Sequence, residues 1–365
     1  MHRFRSVLVL GVLAAATGCS GKSSETPASS QPATTAAAPA PAPAGPRVYV
    51  SDEPGGRMVI VDPAAGTVVG TLAVGKRPRG IRVLGDGQTL LVALSGSPIA
   101  GPGVDESKLP PADRKADGIG VVDLRAMKVS RIMTSGPDPE TFAMSPDEKT
   151  VYLSNEDTGE MSVVDVGTGE VRTHVKVGEE PEGVAVRPDG KVVYVTSEGD
   201  GAVIAIDTTS LKEVGRVKTG ARPRGVIFTP DGALAFVTCE NAGVVTVVDA
   251  RKHKLSSTIT LPRVEGAPIP PRPMGLVLSP DGKTLYVTNG RAKSISVIDV
   301  AAQKVTRTFD DIGARPWGIG ISADGKQLYT ANGSSNDVSV VDSESGKVLR
   351  KIAVGGSPWG ISVPR

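Results

Sequence analysis

The chain is poor in the residues that most often carry chemistry. Its 365 residues include three histidines and two cysteines. His2 lies at the extreme N-terminus, while His174 and His253 fall on what read as outer strands. No histidine cluster is available to ligate a metal. The sequence has no Cys-x-x-Cys-His haem attachment and no Gly-x-Ser-x-Gly nucleophile elbow. Charge of one sign is also missing: 41 basic residues oppose 39 acidic ones, and loss of residues 1–18 with Arg3 and Arg5 would leave none in excess. A neutral domain offers no bulk attraction to nucleic acid or acidic lipid. The apolar run from Val7 to Ala16 is too short to span a bilayer as a permanent helix.

That short run follows Arg3 and Arg5 and ends at Ala16-Thr17-Gly18-Cys19-Ser20, an arrangement that resembles a bacterial lipoprotein signal. The expectation is a signal over 1–18 and lipid on Cys19, with Ala16 where the pattern usually has Leu. Several acyl chains on Cys19 would give a stable membrane anchor. Cys239 would then have no disulfide partner and reads as a buried, inert thiol. Residues 21–45 are mostly Ser, Thr, Pro and Ala, with Pro39-Ala40-Pro41-Ala42-Pro43 near their end. Such a stretch buries nothing, so residues 19–45 read as the lipidated cysteine and a semi-stiff tether.

From residue 46 onward a phrase recurs. Its clearest copy is Arg272-Pro273-Met274-Gly275, Ser279-Pro280-Asp281-Gly282, Leu285-Tyr286-Val287-Thr288-Asn289 and Ile295-Ser296-Val297-Ile298-Asp299. The closing aspartates are Asp62, Asp123, Asp165, Asp207, Asp249, Asp299 and Asp342, at spacings of 61, 42, 42, 42, 50 and 43 residues. A unit of about 40–45 residues with four short alternating strands is a propeller blade. Pro-Asp-Gly supplies the turn between the first and second strands, and each closing Asp is expected to cap the turn after the third. The domain opens at Val48-Tyr49-Val50-Ser51, a second strand with no first. It closes at Pro358-Trp359-Gly360-Ile361-Ser362-Val363, a first strand with no second. The two should share one blade and close the ring. The predicted fold is therefore all-β: a seven-bladed β-propeller over 46–365, closed by the C-terminal strand pairing with the N-terminal strands.

Tyr286-Val287-Thr288-Asn289, with variants at Tyr49, Tyr152, Tyr194, Phe236 and Tyr329, resembles the signature of the YVTN-type β-propeller repeat family. The resemblance covers residues 46–365. A weaker one connects the chain to seven-repeat propellers associated with quinone-cofactor-dependent alcohol catabolism, although the Trp-rich blade repeat of the quinone enzymes themselves is not found. The YVTN family includes surface and periplasmic binding proteins and a few enzymes, so the fold it implies does not fix an activity.

Two insertions interrupt the period, within Ser95–Gly118 and within Pro262–Pro271, and both fall on the face that carries the loops between strands two and three and between blades. The middle residue of each Pro-x-Gly should lie on that face at the channel mouth: Arg79, Glu140, Glu182, Arg224, Met274, Trp317 and Trp359. The residues before the prolines add Arg77, Asp138, Glu180, Arg222, Arg272 and Arg315, giving an acidic arc, a basic arc and the only two tryptophans side by side. The candidate ligand-binding set is Arg79, Glu140, Glu182, Arg224, Arg272, Arg315, Trp317 and Trp359, suited to a planar or anionic ligand.

The expectation that follows is a monomeric, non-enzymatic binding or scaffold propeller, with no catalytic residue, metal or cofactor. Lipid would anchor it in the bacterial cell envelope, outer membrane favoured, where it would recognise a small molecule, peptide or partner protein. Two alternatives stand beside it. One is a propeller lactonase or hydrolase with a carboxylate-bound metal, which a convergent oxygen cage at the mouth would favour. The other is an accessory subunit of a periplasmic dehydrogenase or transport system.

Overall fold

The computed structural model describes residues 46–99, 108–263 and 271–364. The expected signal, Cys19 and tether lie outside the described residues, as do parts of both insertions.

Among the described residues, twenty-eight strands form seven four-stranded antiparallel sheets arranged as a ring of blades. Blade one is composite: β28 (Pro358–Ser362) pairs with β1 (Val48–Asp52), followed by β2 (Arg57–Asp62) and β3 (Thr67–Ala73). The register Tyr49↔Ser362 and Val50↔Ile361 is the closure expected from the half-repeats at the ends. Side chains reinforce it. The Ser51 hydroxyl donates to the Arg79 carbonyl at 2.7 Å and accepts from Gly360 N–H at 2.8 Å. Blades two to seven follow in chain order, with inner strands β4 (Pro78–Val83), β8 (Pro139–Met144), β12 (Pro181–Val186), β16 (Pro223–Phe228), β20 (Pro273–Leu278) and β24 (Pro316–Ile321).

Burial explains the alternation of the phrase. Second strands such as β13 (Val192–Ser197) are buried along their whole length, because neighbouring blades cover both faces. The seven apolar clusters are the seven inter-blade interfaces. One joins Val192 and Tyr194 of blade four to Val226 and Phe228 of blade five. The closing one joins Val48, Val50, Val59 and Val61 to Tyr329, Val338 and Val340. Fourth strands such as β7 (Lys128–Met133) face solvent and are mostly exposed.

The hydroxyl of the Tyr-Val-Thr phrase ties consecutive blades together. Thr196 donates to the Arg224 carbonyl at 2.7 Å, Thr238 to that of Met274 at 2.7 Å, and Thr288 to that of Trp317 at 3.1 Å. In each case the acceptor is the middle residue of the next blade's Pro-x-Gly. The glycine of that motif allows this approach. A Cβ on Gly183 would stand 2.2 Å from the Arg224 carbonyl oxygen, and one on Gly275 would stand 2.3 Å from that of Trp317.

Every closing aspartate caps its turn. Asp62 accepts from Ala65 N–H at 2.8 Å, Asp165 from Thr168 at 2.9 Å and Asp299 from Ala302 at 2.7 Å. Asp123, Asp207, Asp249 and Asp342 do the same. These bonds stabilise the charged carboxylate and hold Asp165 down at about 2. His253 departs from its expected place on an outer strand. It occupies the turn before β19 (Lys254–Thr260) with φ 51° and bonds Tyr194 Oη at 2.8 Å.

Candidate functional site

The residues before the inner-strand prolines are the first sign that the mouth is more than a turn. Arg77, Asp138, Glu180, Arg222, Arg272 and Arg315 all have left-handed backbone, with φ between 39° and 60°. Glycine would adopt this conformation at less cost, yet every one of these positions carries a charged side chain. They project beside the middle residues of Pro-x-Gly.

Two largely buried arginines organise the charges. Arg79 donates from Nε to Glu53 at 2.9 Å, pairs through Nη1 with Glu140, and stands 3.6 Å from Glu156. Arg224 donates from Nε to Glu240 at 3.0 Å, and its Nη1 meets both Glu182 and Glu198, the latter at 2.6 Å. Arg222 also pairs with Glu198, at 2.7 Å, and Arg272 stands 3.7 Å from Glu240. The acidic and basic arcs expected from sequence are thus interleaved. A buried carboxylate without a cation is too costly, so the arginines reach across to the acids.

Glu53, Glu156, Glu198 and Glu240 were not among the sequence candidates. All four occupy one place in the repeat, the residue after the second strand, which reads Glu53, Ser95, Glu156, Glu198, Glu240, Gly290 and Gly333 around the ring. Aligning the repeats one residue further would have found them. The same position explains the tryptophans. Where the repeat has Gly333 instead of Glu, a Cβ would stand 2.9 Å from the Trp317 ring. The missing side chain makes room for the indole. Trp317 and Trp359 stack with centroids 6.1 Å apart at 24°, and Arg315 and Arg224 lie 4.5 Å and 5.7 Å from the Trp317 ring. Arg272 turns instead toward Glu240. Both indoles are half-buried and line the cavity, so neither is a fully buried plug.

That cavity, about 320 Å³, opens between Glu182, Arg224 and the tryptophans and runs along the inner strands. Glu182 is 7% exposed. One of its oxygens meets Arg224, while Oε2 has no hydrogen-bond partner among the described residues. That oxygen is closed off from solvent, so a water or ligand hydroxyl would reach it only after a side chain at the mouth moved. Burial, and next the charge of Glu182, raise Glu156 to about 7 and Glu198 to about 8, against the pull of their arginines. Burial also opposes ionisation of Glu240, but Arg224 and Arg222 outweigh it and hold Glu240 below its ordinary value.

Asp138, Glu140 and Glu156 each offer an oxygen within 4.8 Å of the others, a spacing suited to a hard cation. Arg79 already stands on Glu140 and close to Glu156, and Arg77 lies 3.6 Å from Asp138. The guanidinium groups supply the charge a cation would bring and crowd the space between the ligands. With Arg79 in place the trio does not fit a metal. Beside it, Arg114 of the first insertion donates to the Ser97 hydroxyl at 3.0 Å and pairs with Asp157, so the described part of that insertion reaches the mouth. Cys239 is fully buried and its thiol is pushed up by burial, which leaves it unreactive.

The chain is a seven-bladed β-propeller. A model of the lactonase family, seven-bladed β-propellers, matches residues 178–358, and a model of YNCE-like β-propellers matches residues 112–234. Among solved structures, the periplasmic gluconolactonase of Pseudomonas aeruginosa is 20% identical with TM-score 0.69, over 88% of this chain and 99% of that one. A putative 6-phosphogluconolactonase from Bacteroides uniformis is 20% identical with TM-score 0.69, over 87% and 99%. Hydrazine synthase of Kuenenia stuttgartiensis is 21% identical with TM-score 0.63, over 78% and 89%. At these identities the structural likenesses speak for the fold. No curated protein matches significantly.

The lactonase-family match overturns the expectation of a non-enzymatic binding or scaffold protein, and with it the lean against an enzyme. That expectation rested on the lack of a histidine or a cluster of ligands and of haem and nucleophile motifs, none of which a family match depends on.

Proposed function

We propose that the protein is a hydrolase of the lactonase type, with its site at the channel mouth around Glu182 and Arg224. The observation that carries the reading is buried Glu182, whose Oε2 has no partner among the described residues, beside the Arg224 guanidinium in the lining of the cavity and inside the segment matched by the lactonase family model. In this reading Glu182 accepts a proton from a water as its oxygen attacks the lactone carbonyl carbon. Arg224, held charged by Glu182, Glu198 and Glu240 despite its burial, stabilises the oxyanion that develops. The ring C–O bond then breaks, the ring oxygen takes the proton back from Glu182, and a hydroxy acid leaves. No step requires a metal.

The two structural neighbours named as a gluconolactonase and a putative 6-phosphogluconolactonase are in keeping with this reading. We further propose lipid anchorage through Cys19 in the cell envelope, tested by fractionating cells that express Cys19→Ala. Retention of that variant in the detergent phase would remove the anchor.

The test of activity is a panel of five- and six-membered lactones, titrated at constant pH with residues 46–365. Acid release proportional to protein, absent after heat denaturation, is expected. No release above the spontaneous rate with any lactone would overturn the assignment.

A further inference from the structure

The cavity wall shows what kind of lactone would fit, an inference that rests on the lactonase reading. Polar side chains are confined to its mouth, where Glu182 and Arg224 stand; Thr141 is turned away and donates to the Glu182 carbonyl. Inward, the side chains are Ile81, Phe142, Leu276, Ile319 and Ile361, with Met274 and the stacked Trp317 and Trp359 beside the charges at the mouth.

Inner-strand backbone would ordinarily give such a channel a polar lining. Here much of it is already satisfied. The carbonyls of Arg79, Glu182, Arg224, Met274 and Trp317 each accept from a serine or threonine hydroxyl of the preceding blade. The N–H groups of Gly183, Gly225, Gly275 and Gly360 donate to those same hydroxyls. A polyhydroxylated substituent entering here would lose water without finding partners in return.

We propose that the substrate is a lactone bearing an apolar alkyl or aryl substituent. The ring carbonyl lies at Arg224 and Glu182, and the substituent runs down the channel past Trp317 and Trp359. A pocket whose side chains are mostly apolar, with a few convergent polar groups at one end, suits such an amphipathic ligand. The substitution of Gly333 for the glutamate found at its repeat position is part of the same design, since it seats the indole that walls the channel.

The experiment compares δ-valerolactone, δ-octalactone, δ-decalactone and glucono-δ-lactone as substrates of residues 46–365. In parallel, alkyl δ-lactams of the same chain lengths, which resist hydrolysis, are titrated by tryptophan fluorescence. KM, and the lactam Kd with it, should fall by about fourfold per methylene until the channel is full. Trp359→Ala should flatten that slope. If glucono-δ-lactone is hydrolysed and chain length has no effect, the apolar channel is wrong and the lactonase reading stands. If no lactone is hydrolysed but lactams still bind with the expected slope, the channel stands and the lactonase reading falls. Loss of both results overturns both.

Discussion

Arg224→Met tests whether the mouth is held together by charge. Methionine keeps much of the length of the side chain but removes the cation that Glu182, Glu198 and Glu240 share. The arginine side chain is 13% exposed, so little water is at hand to replace it. Breaking a buried pair by removing one partner costs about 3–5 kcal/mol, because a charge is left without compensation. A domain of this size loses about 2 °C of Tm per kcal/mol, so the variant should melt about 6–10 °C lower near pH 9.5. The loss must depend on pH, and its sign follows from the protonation states. Glu156 and Glu198 already have folded-state values raised to about 7 and about 8. A raised carboxyl value means that the folded state holds protons more tightly than the unfolded state. The penalty is complete above the folded-state value and is relieved as pH falls toward the unfolded one. Without Arg224 the carboxyl values rise further, so the deficit should shrink markedly near pH 5.5. Calorimetry of residues 46–365 at the two pH values reads both quantities. An equal deficit at both, or one below about 1 kcal/mol at the higher pH, would refute the reasoning.

Other consequences can be checked together. Deleting residues 357–365 removes β28 with its pairing to β1 and the Ser51–Gly360 bond; chemical denaturation should show a loss of several kcal/mol, a large part of an ordinary folding margin. A truncated domain as stable as the intact one would break the closure argument. Gly333→Ala places a methyl group 2.9 Å from the Trp317 ring, so tryptophan emission should shift while the fold, followed by far-ultraviolet circular dichroism, is kept. Unchanged emission would mean that the glycine does not seat the indole.

The architecture was legible because each blade repeats the same physical solution. The aspartate spacing gave the blade length, and the unmatched strands at Val48 and Pro358 gave the closure, since β pairing leaves a visible vacancy when half a blade is missing. The middle residues of Pro-x-Gly were placed at the mouth for the same reason. What one repeat could not reveal was contact between repeats. The shared repeat position of Glu156, Glu198 and Glu240 could be read from the sequence, but not that Arg79 and Arg224 reach across blades to Glu156 and Glu198 while Arg224 also holds Glu240 of its own blade. The threonine of Tyr-Val-Thr read as strand propensity, although it also bonds the neighbouring blade's backbone. The site is built at blade junctions, so its chemistry depends on proximity that a linear period does not display.

The central claim is that Glu182 does the proton transfer in lactone opening. The most direct measurement is kcat for Glu182→Gln beside the wild type on the best lactone, followed by acid release in proteins with matching circular dichroism. The account predicts a fall of about 100-fold or more, with general-base catalysis lost. A variant that turns over as fast as the wild type would contradict it.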